Sequence, residues 1–133
     1  MNAVPCKVYS RSMDGERKVS LNFRVHEFAC RDGSDAVVIA DKLVNILQAI
    51  RSHFGQPLTI NSGFRTEAHN RAVGGVSRSL HLYGMAADIS VAGVSPADVA
   101  DYAERLLPDT GGVGRYKDFT HVDVRAEKTR FTG

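Results

Sequence analysis

The chain has no tryptophan, two cysteines and four prolines in 133 residues, and each scarcity removes a class of explanation. Cys6 and Cys30 are too few for a disulfide-built scaffold; they can pair or stay free, and the sequence does not choose. Nor do they furnish the cage of a structural zinc, which takes four protein ligands and usually includes Cys. No apolar run approaches the roughly eighteen residues of a membrane span, and the polar stretch 1–20 holds no apolar segment of signal-peptide length. The expectation is synthesis in the cytoplasm without a recognisable export signal, and access to any substrate outside the membrane only after release. Charge of one sign is missing too: 17 basic against 15 acidic residues leave +2, too balanced to argue for nucleic acid. There is no Gly-x-Ser-x-Gly, and Ser62-x-x-Arg65 has arginine where a Ser-x-x-Lys carboxypeptidase needs lysine. Cys30, in an apolar-leaning stretch, reads as packing, which disfavours a cysteine nucleophile.

What is present is one small domain's worth of ordinary globular sequence, long enough to bury about two thirds of its unfolded surface. Residues 1–20 read as an extended polar arm and residues 21–133 as a single domain, simplest as a monomer. Val38, Ile39, Leu43, Ile46, Leu47 and Ile50 recur at three- and four-residue steps and predict a helix from about Asp35 to His53, stopped by Gly55-Gln56-Pro57. Leu58–Asn61 and Ala86–Val91 read as strands, and Glu67–Arg71 as a helical turn before Gly74-Gly75. Ser95-Pro96 opens a helix to about Leu107, with proline where its missing N–H costs nothing. Residues 111–116 and 120–125 read as a final hairpin. The class is α+β, a small antiparallel sheet with helices packed on it.

The most informative stretch is Ser79-Leu80-His81-Leu82-Tyr83-Gly84-Met85-Ala86-Ala87-Asp88, answered by Phe119-Thr120-His121-Val122-Asp123. Together they offer two imidazoles and one carboxylate, and three protein ligands with a position left for water is how hydrolytic zinc sites are built. A separation of seven residues from His81 to Asp88 suits a loop that folds back, with Gly84 and the Ala86-Ala87 pair permitting close approach. His121 lies on the last predicted strand, with Thr120 and Val122 on its opposite face and Asp123 on its own. Spacing alone leaves the ligand assignment open. His26, His53 and His69 read as ordinary surface or hydrogen-bonded histidines.

The pattern Ser62-Gly63-Phe64-Arg65, Asn70, Gly74-Gly75, Ser79-x-His81-x-x-Gly84-x-Ala86-x-Asp88, Gly112-Val113-Gly114 and His121-x-Asp123 resembles the M15 family of zinc D-Ala-D-Ala carboxypeptidases and murein endopeptidases. It covers roughly residues 20–132 and is most similar to the short, single-domain bacterial and phage members, endolysins among them. The resemblance implies the α+β fold shared by such peptidases and the Hedgehog signalling domain, and Zn2+ held by His81, Asp88 and His121. It also implies a general base at Asp118, three residues before the last ligand, and an Arg65 guanidinium that clamps a substrate carboxylate or polarises the scissile carbonyl. Asp123 is the rival base by strand face, or else orients a ligand and pairs with Arg125. Ser79 either hydrogen-bonds substrate or braces its loop. Asn70, Tyr83 and Arg115 are weaker candidates and are not counted in the site.

The function implied is hydrolysis of peptide bonds in peptidoglycan stem peptides or cross-links, as a DD-carboxypeptidase or endopeptidase acting at the bacterial cell wall. The partners would be peptidoglycan peptides, with neither nucleic acid nor a membrane. The alternative is a catalytically weak or inactive zinc-containing module of the same fold that binds the wall.

Overall fold

Residues 36–40, Ala-Val-Val-Ile-Ala, satisfy two patterns at once, and the structure chooses between them. Val38 and Ile39 fit the helical spacing of the segment that follows. Yet three consecutive β-branched residues are stiff at χ1 and favour a pleated surface. In the computed structural model, which describes residues 4–133, Ala36–Ala40 is strand β2 and the helix starts only at Asp41. Val37 and Ile39 are buried through the strand's period of two. The helix expected from Asp35 is therefore a strand followed by a shorter helix.

The partner of β2 is β1 (Cys6–Ser10), paired antiparallel from Cys6↔Ala40 to Ser10↔Ala36. The described part of the expected arm is thus tied to the domain; residues 1–3 lie outside the described residues. A one-turn helix α1 (Arg11–Asp14) follows, capped by Ser10 Oγ, which accepts from the Met13 N–H. Helix α2 (Asp41–Phe54) buries Leu43, Val44, Leu47 and Ile50 and ends at Gly55, whose φ of 64° is the left-handed stop that glycine supplies without strain. Helix α3 is Glu67–Ala72, capped by Thr66. Helix α4 (Pro96–Leu106) has Ser95 Oγ accepting from the Asp98 N–H and Pro96 in its first turn, and it buries Val99, Ala100 and Ala103.

The main sheet runs in the order β3-β4-β6-β5-β7, with β3 at Leu58–Ser62, β4 at Ala86–Val91, β5 at Gly112–Arg115, β6 at Thr120–Asp123 and β7 at Thr129–Thr132. All neighbours are antiparallel except β5 and β7. β3, β4, α4 and the β5–β6 hairpin fall where the sequence predicts them; β7 is an addition, a four-residue strand too short and too polar to carry a pattern. The fold is α+β, a small, mainly antiparallel sheet with helices on it. Alternation along the strands splits the sheet into two faces. Ala87, Ile89 and Val91 of β4, Val122 of β6 and Val113 of β5 turn to the core, where α2 and α4 pack. Ala86, Asp88, His121 and Asp123 turn to the other face. Among the described residues, no helix is long and apolar enough to cross a membrane.

Candidate metal centre

Strand register brings the first two candidates together. Asp88 on β4 lies directly opposite His121 on β6, and Asp123 lies opposite Ala86. On the far side of β6, Gly114 faces His121 and Gly112 faces Asp123. A Cβ at Gly112 would lie 2.1 Å from Asp123 Oδ2, so the buried carboxylate requires a neighbour with no side chain. His81 comes from a 3-10 turn (Leu80–Tyr83) that Ser79 caps by accepting the His81 N–H and that Gly84 closes with a φ of 70°. At Gly84 a Cβ would sit 2.2 Å from the Val38 carbonyl oxygen, and the Gly84 carbonyl accepts from the Ala40 N–H at 2.9 Å. The turn is thereby held against β2, and its imidazole is aimed at the sheet.

The three side chains are all buried, at 3% (His81), 9% (Asp88) and 8% (His121) relative exposure, and one ligating atom from each can be chosen so that all lie within 4.8 Å of one another. His81 Nε2 is 3.5 Å and His121 Nδ1 3.0 Å from Asp88 Oδ1. Two ligands about 2.05 Å from a tetrahedral zinc are roughly 3.4 Å apart, so the spacing suits that ion. The outward nitrogens are occupied: His81 Nδ1 lies 2.8 Å from the Gly63 carbonyl and His121 Nε2 2.8 Å from Asp123 Oδ2. Such partners orient both rings so that His81 Nε2 and His121 Nδ1 face one point, at Asp88 Oδ1. Two imidazoles and a carboxylate, with nothing softer nearby, form a donor set for a hydrolytic zinc.

The protonation states are those of a metal-free site, in which the carboxylates hold a proton on His121 that a metal would displace. Burial pushes the Asp88 carboxyl up, but hydrogen bonds from His121 and His81 outweigh it and hold the group well below the carboxylate range. Asp123, fully buried, behaves likewise: burial raises it, while Arg125 and His121 draw it down. Burial lowers His121, yet its two carboxylate partners win and its pKa is raised. The Arg125 fork grips Asp123 through Nε at 2.8 Å and Nη2 at 2.6 Å. Both Asp123 oxygens are thus engaged, and none is left to reach water in the cavity.

That cavity, about 860 Å³, opens over the three candidate ligands. Arg65 enters it from the end of β3, with Nε donating to Ser62 Oγ at 3.0 Å, Nη1 to Asn70 Oδ1 at 3.2 Å and Nη2 to Asp88 Oδ2 at 3.4 Å. Ser79 lines it while capping the His81 turn. Asp118 does not line it. It is exposed on the β5–β6 turn, and its carboxylate has no hydrogen-bond partner among the described residues, although its neighbours Tyr116 and Phe119 both form cavity wall.

Comparison with known proteins accords with this geometry. The peptidase M15 family model matches residues 21–123, the span that carries every ligand candidate. The chain belongs to the peptidase M15 family. M15 peptidases are zinc-dependent metallopeptidases, and zinc is the cofactor that this donor set fits. The chain is also 38% identical over 98 residues to the zinc D-Ala-D-Ala carboxypeptidase of Streptomyces albus G; that match takes in 67% of this chain and 37% of the relative.

Several features around this site are absent from the sequence-based set or enter it only as part of the family pattern. Asn70 is buried, accepts from Arg65 and donates through Nδ2 to the Val76 carbonyl at 2.8 Å, so it sets both the guanidinium and the 73–78 loop. Gly75 makes room for it: a Cβ there would fall 2.1 Å from Asn70 Oδ1 and 3.1 Å from Arg65 Nη1. Tyr116, Phe119 and Phe131 build an aromatic wall, with Tyr116 stacked on Phe119 at 4.3 Å and Phe131 tilted against His121 at 5.2 Å. Tyr83 and Arg115 stay outside, the latter paired with Asp101 and Glu104. Gly75→Ala is expected to displace Asn70 and Arg65 together, costing about ten-fold in kcat/KM for any peptide that Arg65 holds while leaving zinc affinity within two-fold. Steady-state kinetics beside a zinc titration checks this.

Proposed function

We propose that the chain is a zinc-dependent peptidase that hydrolyses peptide bonds in peptidoglycan stem peptides or cross-links, its peptidase domain spanning residues 21–133 behind the 1–20 arm. The observation that carries the reading is the convergence of His81 Nε2, Asp88 Oδ1 and His121 Nδ1 at zinc-like spacing on the floor of an open cavity. The relative from Streptomyces albus G acts on D-Ala-D-Ala by its name, which supports a cell-wall peptide as substrate and the wall as the place of action. Zinc held by these three residues supplies Lewis acidity, bringing the pKa of a water toward neutrality and polarising an amide carbonyl.

The chain's own groups do the rest. Arg65, fixed by Ser62 and Asn70, presents its fork to a substrate carbonyl or carboxylate beside Asp88. Ser79 offers its hydroxyl proton to substrate, since its oxygen already accepts from the His81 N–H. Asp123 keeps the proton on His121 Nε2 and so holds Nδ1 free for metal; its burial and double engagement argue for this role over that of base. The base is Asp118, an unpaired carboxylate whose side chain must swing over the lip formed by Tyr116 and Phe119 to take a proton from water and return it to the leaving amine.

Incubating purified peptidoglycan with zinc-loaded protein, beside a chelator-treated control, tests the reading. A chelator-sensitive loss of one defined fragment by mass spectrometry is expected and identifies the bond. Asp118→Ala should lower kcat by about 10²–10⁴ with zinc binding intact; full activity would reassign the base. The exposure of Asp118 is also what favours the second reading, a wall-binding module without turnover. Intact muropeptides with zinc bound, together with sedimentation of the protein with the wall, would establish it.

A further inference from the structure

Besides its histidines, the cavity is lined by five charged side chains: Arg65, Arg78, Asp88, Arg125 and Glu127. Three are already engaged. Arg65 and Asp88 contact each other, with Asp88 also on His81 and His121, and Arg125 is neutralised by the buried Asp123. Arg78 and Glu127 are different. Both are exposed and form no side-chain hydrogen bond or ion pair with any described residue. They also sit on separate loops, Arg78 between α3 and the His81 turn and Glu127 between β6 and β7. The cavity therefore carries one cation and one anion without a hydrogen-bonded partner among the described residues at different places on its wall, Glu127 within the field of Arg125, whose fork Asp123 already holds. A neutral or singly charged ligand would leave at least one of them unmatched.

We propose that Arg78 and Glu127 are specificity-determining residues that select a zwitterionic peptide, Arg78 taking a carboxylate and Glu127 an ammonium group of the same substrate. The inference rests on the peptidase reading and adds what kind of peptide the site prefers. An Arg fork suits a planar carboxylate through paired N–H donors, and a carboxylate accepts from an ammonium without geometric demand. Because both side chains are exposed, each contact contributes modestly and shows as selectivity between ligands.

The test uses one tripeptide ending in D-Ala-D-Ala in four forms: free acid or amide at one end, free amine or N-acetyl at the other. Dissociation constants are measured by calorimetry on zinc-free protein, and KM on zinc-loaded protein, for wild type, Arg78→Gln and Glu127→Gln. Arg78→Gln should weaken the free acids about five-fold and leave the amides unchanged. Glu127→Gln should weaken the free amines similarly and leave the acetylated forms unchanged. Equal losses across all four peptides, no loss, or no binding by wild type would overturn the proposal. If zinc-loaded wild type cuts none of the peptides, the D-Ala-D-Ala peptidase reading is what fails, and the zinc-free binding pattern still decides the roles of Arg78 and Glu127.

Discussion

Asp123→Ala is expected to destabilise the metal-free protein by about 2–3 kcal/mol and to weaken zinc binding about 10–100-fold. Asp123 is 0% exposed and carries the Arg125 fork on one side and His121 Nε2 on the other. Removing it leaves a guanidinium and an imidazole without their acceptor and opens a void against Gly112. Breaking a fully buried pair costs about 3–5 kcal/mol; the smaller figure applies because the Arg125 side chain is 32% exposed and can turn to water. The zinc effect has a separate origin. Without an acceptor at Nε2, the His121 ring is free to rotate and to carry its proton on Nδ1, the atom the metal needs. Urea unfolding of the metal-free protein and a competitive zinc titration read the two effects independently. Asp123→Asn, which keeps the shape and one acceptor oxygen, should recover much of the stability and less of the affinity. Unaltered zinc affinity in Asp123→Ala would remove Asp123 from the site altogether.

Zinc at a thousand times its dissociation constant should stabilise the wild-type fold by about 4 kcal/mol, raising Tm by roughly 10–20 °C for a domain of this size. His81→Ala should abolish both the shift and hydrolysis, because two ligands on adjacent strands cannot replace a three-point site. Its own metal-free stability should drop by much less, since His81 makes one outward hydrogen bond, to Gly63. The pH dependence has a definite sign. His121 has a raised pKa in the metal-free fold, so it keeps its proton to higher pH than an ordinary histidine, and zinc must displace that proton. Apparent affinity should therefore climb as pH rises through that value, with proton release visible by calorimetry in buffers of different ionisation heat. A zinc-dependent shift that survives in His81→Ala would place the metal elsewhere.

How far these residues could be read from sequence follows from how local their determinants are. The strands and helices with one clear period, β3, β4, α3 and α4, fall where the pattern puts them. Ala36–Ala40 does not, because its β-branched run carries a helical and a strand period together and only pairing with β1 separates them. β7 was illegible since Thr129–Thr132 gains its identity from a parallel edge on β5, a contact no local window contains. In the site, the residue types of His81, Asp88, His121 and Asp123 suggested a metal, but spacing alone left the assignment open and the family resemblance made it. Asn70 was legible only as a weaker candidate, and Phe131 and Glu127 not at all, because an amide, a ring and an exposed carboxylate become informative only once another segment is placed beside them. Asp118 shows the reverse limit: its position in the chain is suggestive, but its side chain lies outside the cavity.

Phe131 reaches His121 across Gly114, where a Cβ would come within 2.4 Å of the ring, and it does so from a strand beyond residue 123, the last residue of the shared family span. Arg125, Glu127 and Phe131 all follow that point. The floor of the cavity and one of its walls thus belong to different portions of the polypeptide, joined by the parallel β5–β7 pairing, by the Arg125 fork on Asp123 and by Arg130 on the Gly111 and Leu107 carbonyls. A change in Thr129–Thr132 would reshape that wall while the paired backbone of Asp88 and His121 stays in place, whereas a change at Arg125 would reach the His121 ring through Asp123.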